Sequence, residues 1–325
     1  MRTPRSLVSF ALAMLSIGAI AGCGSSSSSS SAGSSSSSTS GSASSSATSS
    51  SSSASSSATS SSGSPGADAA VAALVPSAIK SKGTISVAAD ASYAPNEFIG
   101  PDGHTVIGMD ADLVKAIAAT MGLKANIANV TFDAIIPGLA SGKYDLGASS
   151  FTDTKAREKV VNFVDYFSAG ESFFTKASGG TSVSTLASLC GKTVAVESTT
   201  TEQTDATAQS KKCKAAGKPA VNVLVFPNQN AANLALSSGR AQLGFVDSPI
   251  AAYQVKKSGG QFKLVGPTFA AAPYGLAIPK ASGLDKAVLA AVKVLINNGS
   301  YTKILDKWGV QAGAIKAPKL NGATS

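Results

Sequence analysis

The chain has 325 residues, 43% of them hydrophobic and only 14% charged, with 27 Lys and Arg against 18 Asp and Glu and a formal charge of +9. Its lysines are scattered and no aromatic-basic stripe accompanies them, which argues against nucleic acid and suits an anionic envelope or membrane surface. The single histidine, His104, has no partner for a metal site or a nucleophile triad. No Gly-rich phosphate loop, H-E-x-x-H or C-x-x-C is present, so no cofactor or metal is expected.

Arg2 and Arg5 precede an uncharged apolar run, Leu7 to Ile20. It is short for a membrane-spanning helix and fits the core of a signal peptide, here residues 1–22. Loss of that leader takes the charge to +7. Ile20-Ala-Gly-Cys23 resembles a bacterial lipobox, in which Cys23 is lipidated and becomes the new N-terminus; an ordinary cleaved signal is the alternative. A two-chain lipid at Cys23 would be enough for stable attachment. Gly24 to Gly66 is almost all Ser, Ala, Thr and Gly and cannot bury a core. As flexible coil it spans roughly 35 Å, so residues 23–66 read as a tether.

From Ala67 onward, strand and helix patterns alternate. Thr84–Ala89 reads as a strand. Met109–Met121 carries Leu113, Ile117 and Met121 on one helical face, and Asp110 and Asp112 at its start read as caps. Phe132–Ser141 is a second helix, and Asp145–Ala148 the next strand. His104 lies in Pro-Asp-Gly-His-Thr, an exposed turn. A second unit follows, with strands at Lys192–Val196, Val221–Phe226 and Leu243–Val246. Its helices are Thr199–Ala215 and Gln229–Ser238. Tyr274–Ile278 returns as a strand, Leu284–Asn297 places Leu284, Val288, Ala291 and Leu295 on one stripe, and Tyr301–Trp308 closes the fold. The alternation predicts an α/β class with a mostly parallel sheet. One unit interrupted by another needs two crossings, near Ser172–Ala177 and Phe269–Tyr274. The domains expected are 67–174 with 272–325 as lobe 1, and 175–271 as an inserted lobe 2. Cys190 and Cys213 form an even pair in an exported chain. A disulfide between them would contribute on the order of 3 kcal/mol; two free buried thiols are the alternative.

Asp145–Arg157 draws attention as chemistry. A short apolar strand gives way to Ser149, Ser150 and Thr152 with free amides, and then to Arg157 at a helix start. Hydroxyls, amides and a guanidinium gathered at a strand end are what a small carboxylate needs. Arg157 as a surface arginine of Lys155-Ala-Arg-Glu-Lys is the plain alternative.

From about Gly83 to Val310 the chain resembles the polar amino-acid-binding proteins of ABC importers, a type II periplasmic-binding-protein fold. The resemblance is carried by Asp90-Ala-Ser-Tyr-Ala-Pro, Gly108-Met-Asp-Ala-Asp-Leu, Phe132-Asp-Ala-Ile-Ile-Pro-Gly-Leu, Ser141-Gly-Lys-Tyr-Asp, Thr152-Asp-Thr-Lys-Ala-Arg and Asn298-Gly-Ser-Tyr-Thr-Lys-Ile-Leu-Asp-Lys-Trp-Gly, in that order. It implies two lobes joined by a two-strand hinge. It further implies that Ser150, Thr152 and Arg157, with Ser149 beside them, hold a ligand carboxylate, and that Thr201 with Thr200 closes on it from the second lobe. Asp247 would meet the ammonium, unless it only caps the helix after it. Tyr93 and Phe132 would be aromatic walls, with plain core packing open for Phe132. Asp90 stands where basic-amino-acid binders meet a side-chain cation, and Glu97 and Glu197 could add charge there. The chain departs from the family at Pro95-Asn96-Glu97, where phenylalanine is common, and at Thr199-Thr200-Thr201, where Gly-Ser-Thr is usual.

The function implied is a non-enzymatic, lipid-anchored receptor outside the cell that delivers a polar amino acid, with a lean toward basic ones, to a permease. Its partners would be the permease subunits and the membrane, and it would act as a monomer. A cyclohexadienyl-dehydratase-like enzyme and a ligand sensor are the other readings of the same fold.

Overall fold

The computed structural model of the chain describes residues 66–324. The expected signal peptide, Cys23 and the expected tether up to residue 65 lie outside the described residues. In chain order the first elements are α1 (Ala69–Ala73), α2 (Ser77–Lys82), β1 (Thr84–Ala89), β2 (Ser92–Tyr93), β3 (Glu97–Ile99), β4 (Val106–Ile107), α3 (Met109–Thr120), β5 (Lys124–Asn129), α4 (Phe132–Ala140), β6 (Leu146–Gly147) and α5 (Lys155–Glu158). There follow β7 (Val161–Lys176), β8 (Thr193–Glu197), α6 (Thr201–Ala215), β9 (Asn222–Phe226), α7 (Gln229–Ser237), β10 (Leu243–Asp247), α8 (Ser248–Lys257), β11 (Phe262–Pro279), α9 (Asp285–Asn297) and α10 (Ser300–Trp308).

The large sheet runs β5-β1-β6-β11-β7-β10-β8-β9. Its two outer portions are parallel: β1 pairs with β5 and β6, and β8 with β9 and β10. Between them the long strands β7 and β11 pair antiparallel to each other and to their neighbours. Each long strand belongs to two cores. The first core gathers Ile85, Leu113, Ile117, Leu146, Val164, Ala169, Tyr274 and the α9 stripe. The second gathers Phe173, Val194, Val196, Leu243 and Phe245. Hence β7 passes from one lobe to the other between Ala169 and Phe173, and β11 returns between Phe269 and Tyr274.

The passage has its own sequence logic. A Cβ at Gly170 would lie 2.6 Å from the Phe269 carbonyl oxygen, so only glycine lets the strands approach there. The β7–β11 register breaks at Val265/Phe269, Phe269/Ala272 and Tyr274/Gly275, which interrupts the ladder where the lobes meet. On the lobe 2 side, Phe173 packs against Phe245 and Phe269 with centroids 4.4 and 5.4 Å away, so the strands leave the passage against a fixed aromatic cluster.

Helix starts sit where side chains can satisfy free amides. Thr200 accepts the Gln203 N–H at the head of α6, Asn228 accepts the Ala231 N–H at α7, and Pro249 occupies the first turn of α8. Asp110 and Asp112 behave differently from the expected caps. The residue before α3 is Gly108, with no side-chain cap. Asp110 points inward and accepts the Ser150 N–H at 2.8 Å and the Tyr166 hydroxyl at 2.7 Å. Asp112 accepts Lys307 Nζ at 2.6 Å and Trp308 Nε1 at 2.9 Å. Donors from other elements outcompete the helix's own first-turn amides.

Cys190 and Cys213 are joined, with Cα atoms 5.6 Å apart and the two 23 positions apart in sequence. The bond fastens the last turn of α6 to the segment that precedes β8. Replacing both cysteines with alanine is expected to cost about 3 kcal/mol and to lower the melting temperature by roughly 6–12 °C in circular dichroism. A change under 2 °C would contradict this.

Candidate functional site

Five chain segments deliver polar groups to one place between the lobes. On lobe 1, β1 ends at Ala89 and releases Asp90. Its carboxylate accepts the Ser92 N–H at 3.1 Å and the Phe132 N–H at 3.0 Å, which fixes it against the start of α4. β6 ends at Gly147 and is followed by Ser149 and Ser150, the latter at φ 49°. Their hydroxyls donate to the two oxygens of Glu97, at 3.2 and 3.1 Å, and Asn96 Nδ2 donates to Ser150 Oγ at 2.9 Å. Thr154 caps α5 through the Arg157 N–H, and the guanidinium turns back to donate to the Thr152 carbonyl at 2.8 Å. That guanidinium lies over the rings of Phe132 and Phe151, 5.3 and 5.4 Å from their centroids. Arg157 is therefore a half-buried clamp rather than a surface helix residue.

On lobe 2, β8 ends at Glu197 and the chain turns through Thr199, a β-branched residue at φ 61°. This conformation is strained for threonine, and glycine would occupy it freely. The Thr199 carbonyl accepts Arg157 Nη2 at 3.0 Å, so the strained turn is used as a contact between lobes. Thr200 donates to the Glu197 carbonyl at 2.9 Å and caps α6. Thr201 bonds Glu202 at 3.3 Å. At the end of β10, Asp247 makes no cap to α8 and instead accepts the Tyr93 hydroxyl across the cleft at 2.7 Å. A third bridge runs from the Gln229 N–H to Ser92 Oγ at 3.0 Å. The lobes are closed on one another.

The pocket so formed is nearly shut, with a cavity volume of about 10 Å³. It is lined by Asp90, Tyr93, Phe132, Ser149, Ser150, Thr152, Arg157, Thr200, Thr201 and Asp247, together with Glu97, Glu197 and Glu202. The structure thus brings together all ten residues singled out in the sequence. Three are employed differently from expectation. The hydroxyls of Ser149 and Ser150 are turned to Glu97, and Phe132 stacks on Phe151 at 4.4 Å while it walls the pocket. Glu202 was missed. An acid in a helix's first turn reads as a favourable dipole partner, and only its burial reveals a second role.

The electrostatics are lopsided: five carboxyl groups surround one guanidinium. Burial raises the pKa of Asp90, partly offset by its hydrogen bonds. Glu97 rises well above the carboxylate range through burial and then the nearby charge of Asp110. Burial and the charge of Asp90 push Glu197 up to about 9. Burial takes Asp247 to about 6 against the pull of the Tyr93 hydroxyl, and lifts Glu202 well above its usual range with Asp247 and Glu171 adding to the effect. Burial lowers Arg157, with Glu202 and Asp247 pulling it back up. Glu202 and Asp247 act on Arg157, Asp90 acts on both Glu97 and Glu197, and Asp247 acts on Glu197 as well. Among the described residues no cluster of three acidic, His or Cys side chains is arranged to hold a metal. Such a site can bind an anion beside a cation, with a second acidic end beyond.

Comparison with known proteins gives this geometry its context. The profile of the bacterial extracellular solute-binding proteins, family 3, matches residues 85–311. The arginine-binding protein ArgT of Corynebacterium glutamicum is 35% identical over 252 residues, covering 77% of this chain and 82% of that protein. The glutamine-binding protein GlnH of Bacillus subtilis is 32% identical over 215 residues, covering 64% of this chain and 74% of its own length. Among solved structures, an ancestral arginine-binding protein bound to arginine aligns with a TM-score of 0.63 at 36% identity, covering 70% of this chain and 98% of that one. The chain belongs to the bacterial extracellular solute-binding proteins, family 3.

Proposed function

We propose that the protein is the lipid-anchored receptor of an ABC importer for basic amino acids, with arginine as the first candidate. The carrying observation is the second acidic group, Asp90, Glu97 and Glu197, on the same pocket that holds Arg157 and Asp247. Arg157 with the Thr152 segment would take the ligand carboxylate, and Asp247 with Glu202 the α-ammonium. The aliphatic stem would lie along Tyr93 and Phe132. The side-chain cation would reach Asp90 and Glu197. Buried carboxylates without cations are costly, so a ligand that carries a positive charge at each end relieves both groups. The arginine-binding relatives favour the same reading.

The proposed lobes, 67–174 with 272–325 around 175–271, share β7 and β11, although on β7 the change of core comes a few residues earlier, between Ala169 and Phe173. Cys23 would hold the receptor on the outer face of the cell membrane through the Ser-rich tether, next to the permease subunits, and the receptor would work as a monomer. Thermal-shift screening of the twenty amino acids with ornithine and citrulline tests the ligand, since a native-state ligand raises the melting temperature by mass action. Arginine, ornithine and lysine are expected to give the largest shifts. Shifts led by glutamate or by apolar amino acids, or turnover of prephenate or arogenate, would overturn the reading.

A further inference from the structure

We propose that Asp90 and Glu197 form a charge gate between the lobes: their facing carboxyls resist closure until one positive charge, from a ligand side chain or a proton, stands between them. The inference rests on the reading of the pocket as one for basic amino acids and adds to it how cationic ligands are told from neutral ones.

The geometry is specific. Asp90 leaves lobe 1 at the end of β1, and Glu197 leaves lobe 2 at the end of β8. They are 5% and 3% exposed and line the same pocket from opposite lobes. Both Asp90 oxygens already accept backbone N–H groups. Glu197 Oε1 is buried and has no partner among the described residues. The titratable groups facing Glu197 are Asp90, Asp247, Asp133 and Tyr93, and those facing Asp90 are Glu97 and Glu197. None of them brings a positive charge, and the one cation lining the pocket, Arg157, is engaged with Glu202 and Asp247.

Two carboxylates cannot both stay ionised face to face in a site from which water is excluded. When the lobes part, each returns to solvent and to its ordinary range. Closure without a cation therefore takes up a proton, whereas closure on a guanidinium or ammonium side chain takes up none. The rise of Glu197 to about 9 in the closed arrangement has this sign. The closed form holds the proton more tightly than the open form, so lowering the pH favours closure without ligand. By the same linkage, preference for a cationic side chain over a neutral isostere grows with pH, by up to about tenfold per unit below that value.

The test uses the full chain and the isosteric pair arginine and citrulline, in which a neutral oxygen replaces the charged nitrogen group. Calorimetry at pH 6 and pH 8.5 is expected to give an arginine-to-citrulline affinity ratio at least about tenfold larger at the higher pH. Glu197→Gln should cut the ratio at pH 8.5 by roughly thirtyfold and flatten its pH dependence. Small-angle scattering without ligand gives an independent readout. The wild-type radius of gyration should shrink from pH 8.5 to pH 5.5, and that of Glu197→Gln should be the same at both. A ratio and a radius that ignore pH in the wild type would overturn the gate. Failure of arginine to bind, with the scattering response intact, would remove the basic-ligand reading and leave the gate standing.

Discussion

Arg157→Ala is expected to weaken amino-acid binding by roughly 30-fold to several thousand-fold, the range for removing one partner of a buried charge pair. The guanidinium is held by the Thr152 and Thr199 carbonyls and lies over Phe132 and Phe151, so its direction is set before a ligand arrives. A carboxylate brought into that place without Arg157 would be desolvated beside Asp247 and Glu202 with no cation to answer it. The variant also loses the Arg157–Thr199 bridge, so closure suffers along with contact. Arg157→Lys keeps the charge but not the two-pronged donor set, and should recover only part of the loss. Titration calorimetry with arginine decides the matter; affinity of Arg157→Ala within twofold of the parent would remove Arg157 from the site.

Asp247→Asn should have the second largest effect, again on the order of 30-fold or more, since the α-ammonium would lose its charged partner. The amide still reaches the Tyr93 hydroxyl, so the variant separates charge from closure. The same residue sets a pH limit on the wild type. Its carboxyl has been raised to about 6, so it is ionised above that value and protonated below it. Affinity for an α-amino acid should be flat from pH 7 upward as far as Asp247 is concerned, and should fall by up to about tenfold per unit below pH 6. For ligands without an α-ammonium that fall should vanish. Asp247→Asn should bind weakly at every pH and show no acid limb; a retained limb would assign the titration elsewhere.

Much of the fold was written in local patterns. β1 spans the residues its apolar run predicted, and Leu284, Val288, Ala291 and Leu295 are all buried in the first core. What escaped was the part that belongs to both lobes. β7 carries Asp165, Ser168, Gly170 and Glu171 inside a single 16-residue strand. Those residues break the apolar alternation because the strand changes cores midway, so no single periodicity describes it. α8 was legible only as a helix that Asp247 could cap, and Ser248-Pro249 proves to be its start, with proline in the first turn. The candidate site was more legible than the hinge, because strand ends advertise their polar residues. Its acidity was legible only in part: Glu97 and Glu197 were open as added charge beside Asp90, whereas Glu202 sits in a helix first turn, where solvent-facing acids are common, and only its depth of burial sets it apart.

The passage between the lobes carries one more consequence. β7 and β11 are laddered to each other on both sides of the broken register, so neither can slide along the other without tearing the sheet. What remains free is bending at the breaks. Two jaws that can only swing about a shared pivot behave like a caliper. With the ligand placed as proposed, between Arg157 on one jaw and Glu197 on the other, its chain length would be gauged as a jaw angle, and a side chain one methylene too short or too long would leave the jaws at the wrong opening even with every charge matched.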